Sequence, residues 1–174
     1  MRRLLGLYRP FSVALALVVL ALALRPAAGT ARDHGLRGEK EPARDTAVLD
    51  DVATTEVVGD VSTALARVFS YAPDDVAATE QAAGRELAGR ALDEYRRLFA
   101  QVRQQAPAQR VTLATRVVRA GVVSLTGDDA RLLVFLDQTA TRAGEPDGTP
   151  AAAQLMVTAH RDRGHWTITG LTSA

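Results

Sequence analysis

Val111–Leu125 reads VTLATRVVRAGVVSL, rich in β-branched residues and alternating between apolar and polar positions. Before it, apolar residues recur every three or four positions. From Val111 onward they recur every second position, which marks a change from helix to strand. Helices gathered in one half of a chain and strands in the other make an α+β fold.

The strand pattern continues to the C-terminus. Gly121 inside the first run suggests a bulge or bend. TGDD (Thr126–Asp129) is a turn, and ARLLVFLDQTAT (Ala130–Thr141) begins as a nearly continuous apolar run, as a central strand would. RAGEPDGTP (Arg142–Pro150) reads as a polar loop. In AAAQLMVTAHR, Ala153, Leu155, Val157 and Ala159 share one face, and Gln154, Met156, Thr158 and His160 share the other. Asp162-Arg163-Gly164 turns the chain, and HWTITGL returns with Trp166 and Ile168 inward. The expected sheet is a curved antiparallel meander of four strands.

Upstream, Val48, Val52, Val58, Val61, Leu65, Val68 and Phe69 make the stripe of one long amphipathic helix, capped by Asp45 or Thr46 and ending near Ser70. Pro73 breaks it. Asp74 and Asp75 open a second helix, Val76 to about Ala83, with acid at the end the macrodipole favours. A third is expected from Glu86 to about Gln105, with Leu87, Ala91, Tyr95, Leu98 and Val102 as its stripe and Pro107 as its end. Glu86/Arg90 and Asp93/Arg97 have the spacing of helix-surface ion pairs. Neither half can bury its apolar surface alone, so the helices must cover one face of the sheet.

Arg2, Arg3 and Arg9 precede an uncharged apolar run, Phe11–Leu24. The run is shorter than the roughly 20 residues of a spanning helix, but Leu4, Leu5, Leu7 and Tyr8 extend it. Residues 1–24 are therefore read as a signal anchor, with the N-terminus cytoplasmic and the remainder extracytoplasmic. The alternative is a signal peptide, with cleavage sites at Ala27-Ala28-Gly29 or Gly29-Thr30-Ala31. Residues 25–45 lack periodicity and read as a flexible linker containing His34; residues 46–174 form the α+β domain.

The 174 residues include no cysteine, which removes disulfides, zinc–thiolate sites and cysteine nucleophiles together. The formal charge is +1 with both signs interspersed, and no basic stripe marks a nucleic-acid binder. Neither a phosphate loop, a dinucleotide fingerprint nor a Ser/His/Asp set is present, and no cofactor is expected. His160 and His165 flank the last turn. With a two-residue loop at Asp162 and Arg163 they would face each other across the hairpin. Two imidazoles there could begin a metal site, but the third protein ligand of catalytic zinc is not nearby, and an exposed cross-strand pair is the ordinary reading. Asp137 ends the run LLVFLD. Buried in a concave sheet it could act as a general base, with Tyr71 or Tyr95 donating to an oxyanion; its ordinary roles are to bond the backbone or face solvent. Phe69, Tyr95, Leu98, Phe135 and Met156 could line an apolar pocket between helices and sheet, or simply fill it.

FSYAPDDV (Phe69–Val76), DEYRRLFAQVRQQ, VVRAGVVSLTGDDARLLVFLDQTAT and GHWTITGL follow a basic start, one apolar segment and a polar stalk. In that order they resemble the actinobacterial Mce-associated membrane proteins, partners of mammalian-cell-entry lipid importers. The resemblance implies a domain similar to the nuclear transport factor 2-like fold. It also implies a non-catalytic accessory role: a scaffold in the bacterial cell membrane, with Mce-type transporter subunits as partners and lipid or sterol as cargo. Such a scaffold would dock through an apolar patch or a sheet face. A secreted or anchored lipid- or sterol-binding module is the alternative, and a small isomerase-like enzyme using Asp137 a third.

Overall fold

The structure, a computed structural model, describes residues 45–174. The expected signal anchor and the linker up to Arg44 lie outside these residues. Helices α1 (Asp45–Val68), α2 (Val76–Glu86) and α3 (Gly89–Gln109) precede strands β1 (Val111–Thr126), β2 (Asp129–Arg142), β3 (Glu145–Asp162) and β4 (His165–Ser173). The strands form one antiparallel sheet in the order β1-β2-β3-β4. No helix among the described residues is long and apolar enough to cross a membrane.

The helices cover one face of the sheet, as the two apolar periods require. Val57, Val61, Leu65 and Val68 of α1 join Leu132, Val134 and Leu136 of β2, Leu155 and Val157 of β3, and Trp166 and Ile168 of β4 in a single core. Every second residue of β2 from Ala130 to Gln138 is buried. The complementary residues, Arg131, Leu133, Phe135 and Asp137, stand on a face that no helix covers.

Aromatic residues fill the end of the core near the start of β1. The rings of Tyr95 and Phe99 stack with centroids 5.1 Å apart, and Phe69 and Tyr71 lean against them at 6.3 Å. Burial raises both phenols, Tyr71 to about 12 and Tyr95 further, with Glu80 adding to the effect on Tyr95.

A helix leaves its last carbonyls without intrahelical partners, and here three elements supply them. The Tyr95 hydroxyl of α3 donates to the Val68 carbonyl at 2.8 Å. The Thr115 hydroxyl of β1 donates to the Phe69 carbonyl at 2.6 Å, and the Thr79 hydroxyl of α2 to the Ser70 carbonyl at 3.1 Å. Gln138 of β2 in turn donates to the Thr115 hydroxyl at 3.0 Å. FSYAPDDV thus ends α1 on a clamp built from three other elements. Tyr95→Phe keeps the ring stack and removes one bond of this clamp. It is expected to cost about 1 kcal/mol, seen as a lower urea midpoint with an unchanged slope.

Lone bridges occupy one point on each edge of the sheet. Tyr71 exchanges two backbone bonds with Leu113 of β1, both 2.9 Å, and the Ala88 N–H donates to Ile168 of β4 at 2.8 Å.

Several boundaries differ from the sequence expectation. Asp75 caps α2 as expected, accepting from the Ala78 N–H, but α2 runs past Gly84 to Glu86 and α3 begins only at Gly89. Leu87 is extended, and its parallel bridge to Ile168 is what separates the two helices. Glu86 and Arg90 therefore do not share a helix: Glu86 turns to Arg67 at 2.8 Å, and Arg90 meets Glu94 at 3.8 Å. Arg97 bonds the Asp93 carbonyl and not its carboxylate. Pro107 lies within the last turn of α3 and does not end it; Arg110, with a left-handed φ of 50°, follows the helix directly.

The segment Arg142–Pro150 is not a polar loop. A tight turn at Ala143-Gly144 joins β2 to β3, with Thr139 paired to Pro150 and Ala140 to Thr149. The first half of β3 has β2 on one side only, since β4 pairs with β3 from Leu155 onward. Proline is tolerated at such an edge because no further strand needs its missing N–H.

Candidate functional site

The register of the sheet maps the uncovered face row by row, because cross-strand partners present their side chains on the same side. One row is Arg116–Asp137–Ala152, and the next is Arg119–Phe135–Gln154. Then come Gly121–Leu133–Met156–Thr172 and Ser124–Arg131–Thr158–Gly170. The last is Thr126–Asp129–His160–Thr167. Phe135, Leu133 and Met156 make an apolar centre. Phe135 is 36% exposed, while Leu133 and Met156 are half-buried by their neighbours on the face. Two residues that the β1 register passes over, Val118 and Val123, add exposed apolar surface on that strand. These irregularities flank Gly121, which is itself paired with Leu133; an added Cβ at Gly121 would meet nothing within 4 Å.

Charged pairs close both ends of this face. Arg116 meets Asp137 at 3.2 Å with both side chains largely exposed. At the other end the His160 imidazole lies 2.8 Å from the Asp129 carboxylate. That hydrogen bond holds His160 above the ordinary histidine value against the opposing effect of desolvation, and the charges of Asp129, Asp128 and Asp162 add to it. The imidazolium contact is therefore complete below the unfolded histidine value and lost as pH rises through the raised one. Asp129→Asn is expected to return the His160 titration, followed by NMR, toward the ordinary value.

The residues singled out in the sequence do not converge. Phe69 and Tyr95 are buried among the helices and Leu98 is partly buried on α3, whereas Phe135 and Met156 lie on the uncovered sheet face. These five do not line one cavity. Asp137 is half exposed and paired with Arg116 on that same face, so the sheet separates it from Tyr71 and Tyr95. The last turn is Arg163-Gly164, with φ of 51° and 81°, the left-handed pair of a type I′ hairpin. Asp162 consequently faces His165, and His160 faces Thr167. His165 sits between Asp60, 3.9 Å from Nδ1, and Glu86, 3.8 Å from Nε2, so the two carboxylates meet different ring nitrogens. Among the described residues, no group of three or more His, Asp or Glu could hold a metal ion.

One organised polar cluster escaped the sequence reading. Arg161 lies 5.5 Å over the Trp166 ring and reaches Asp128 at 3.1 Å and Glu56 at 3.6 Å. It ties α1, the β1–β2 turn and β4 together at the end of the core. Its position on the core side follows from alternation with Ala159, which is the one signal the sequence offered.

No family model matches the chain. Among solved structures it is similar to CagV, a VirB8 homolog of the T4SS from Helicobacter pylori. The TM-score is 0.55 at 12% identity, covering 70% of this chain and 98% of that one. It is also similar to the periplasmic domain of DotI, with a TM-score of 0.55 at 16% identity, covering 78% and 100%. These likenesses show the fold: three helices on a four-stranded antiparallel sheet, of the VirB8 and nuclear transport factor 2-like kind. Uncharacterized protein Rv1362c of Mycobacterium tuberculosis is 35% identical over 124 residues, 71% of this chain. The chain spans just over half, 56%, of that relative's length. Outer membrane protein Rv1973 of Mycobacterium tuberculosis is 33% identical over 150 residues, 86% of this chain and 88% of that protein. At that identity and coverage of both chains, this protein belongs to the family of the mycobacterial outer membrane protein Rv1973.

Proposed function

We propose that this protein is a non-catalytic accessory subunit. Its N-terminal segment anchors it in the bacterial cell membrane, and its α+β domain stabilises a Mce-type lipid or sterol import complex from the extracytoplasmic side. The observation that carries this reading is the family relation to a protein named for the outer membrane, over 86% of the chain. The order of motifs from FSYAPDDV to GHWTITGL supports the Mce assignment. The likeness of the fold to a domain described as periplasmic agrees with an extracytoplasmic location. A scaffold needs surface and not convergent acid–base groups, and Asp137 stands across the sheet from Tyr71 and Tyr95.

The test is carbonate extraction of host membranes with intact-mass analysis, followed by affinity purification of the full chain. An intact, carbonate-resistant chain that copurifies with Mce subunits is the expected result. Asp137→Asn is expected to leave sterol or lipid uptake unchanged. A soluble mature chain beginning near Thr30 would overturn the anchored reading and favour a free lipid carrier.

A further inference from the structure

Among the described side chains of the uncovered sheet face, Asp129, Asp137 and Asp162 each have a cation beside them. Asp137 is paired with Arg116 at 3.2 Å, Asp129 with His160 at 2.8 Å, and Asp162 with Arg163 at 3.7 Å. The reverse does not hold. Arg119 and Arg131 have no carboxylate within ion-pair distance among the described residues. Both belong to the rows of the apolar centre: Arg119 is the cross-strand partner of Phe135, and Arg131 is two residues along β2 from Leu133. The apolar patch thus carries two uncompensated cations, one toward each end. They are offset by the four residues from Arg131 to Phe135, about 13 Å at the rise of a strand.

We propose that this face binds a partner protein through an acidic amphipathic segment, whose apolar side chains cover Phe135, Leu133 and Met156 and whose carboxylates meet Arg119 and Arg131. Seven or eight residues of helix span about 11–12 Å, and the long arginine side chains absorb the difference. Gly121 leaves room beside Leu133 for an apolar side chain of the segment. Charge complementarity of this kind fixes register and speeds encounter, while the apolar centre supplies most of the contact energy.

The charge pattern disfavours an anionic bilayer as the occupant. Membrane-surface sites gather several cations, whereas here Arg116, His160 and Arg163 are each held by a carboxylate, which leaves Arg119 and Arg131 as the two uncompensated cations among the described residues of this face. A second copy docking by the same patch would bring its own Arg119 and Arg131 against this pair.

The proposal rests on the accessory-subunit reading and is tested in the full chain in host membranes, with a photo-crosslinking amino acid replacing Phe135 and mass spectrometry of the adduct. The expected adduct is a protein segment with Asp or Glu bordering apolar residues. Its yield is expected to fall at least about tenfold in the charge-reversed double variant Arg119→Glu, Arg131→Glu. Both positions are exposed, so unchanged circular dichroism and melting would show that the fold is intact. A lipid adduct, an adduct to another copy of the chain, no adduct, or one indifferent to the charge reversal would each overturn the proposal. Carbonate extraction separates the two ideas. A soluble chain that still gives the charge-dependent adduct defeats the anchor alone. An anchored, Mce-associated chain without it defeats this docking face alone.

Discussion

Trp166→Ala is expected to cost about 3–5 kcal/mol, a large part of the total stability of an ordinary domain. Trp166 is the largest fully buried side chain, 1% exposed. It joins Ile168 in presenting β4 to the core. Truncation would open a cavity that α1 and the sheet cannot both close. It would also remove the aromatic face under the Arg161 guanidinium, at 5.5 Å, and so loosen the contacts from Arg161 to Glu56 and Asp128. Trp166→Phe separates these effects. It keeps an aromatic face and deletes an indole N–H that has no protein acceptor among the described residues. Its expected cost is below about half that of alanine. Urea unfolding followed by circular dichroism measures both. Equal losses would mean that the full indole, and not an aromatic face alone, sustains the core.

The second large effect is asymmetric. Arg67 and Glu86 form a 2.8 Å ion pair in which the Arg67 side chain is 61% exposed and that of Glu86 only 7%. Arg67→Ala strands a buried carboxylate, with the His165 ring at 3.8 Å as its remaining neighbour. The expected cost is about 2–3 kcal/mol, the range for losing a charged hydrogen-bond partner in a desolvated site. Glu86→Gln leaves a neutral amide that can still accept from Arg67, while the guanidinium keeps its water. Its expected cost is below about 1 kcal/mol, because the exposed partner is screened. The two single variants, measured by the same denaturant titration, should therefore differ by at least about twofold. Equal costs would mean that the pair is as open to solvent at Glu86 as at Arg67.

The reading of residues 111–125 carried the fold because period-two alternation is a side-chain property. The inward placement of Leu155, Val157, Ala159, Trp166 and Ile168 followed from alternation alone and is what the sheet shows. Segment 142–150 escaped because its pairing is made by the backbone. Pro146, Gly148 and Pro150 weaken any strand signal, yet they sit where β3 has one neighbour and the hairpin register from β2 simply continues. The split between α2 and α3 was hidden for a related reason, since Leu87 leaves the helix to bridge Ile168, far away in sequence. The histidines were misassigned because the last turn sits one residue further along the chain, which moves the partner of His160 from His165 to Thr167. Asp137 was visible as a carboxylate in an apolar run, but which face it occupied depended on the buried set, Val134, Leu136 and Gln138. The unpaired state of Arg119 and Arg131 had no sequence signature, because it depends on which carboxylates the neighbouring strands bring close.

The clamp at the end of α1 also has a mechanical meaning. The helix has 24 residues, so it reaches about 36 Å. From residue 51 onward, burial begins only at Val57; Val52 is 57% exposed. With its buried residues toward the C-terminal end, α1 is a lever whose fulcrum is the set of bonds at Val68, Phe69 and Ser70. Five degrees of play at that fulcrum would swing the Asp45 end by about 3 Å, by the length of the arm. Three bonds to three separate elements stiffen it, because pivoting α1 would have to break contacts to α2, α3 and β1 together. A pull or a tilt applied at Asp45 is then delivered to the sheet as motion of the whole body, and the strands move with it and do not shear apart.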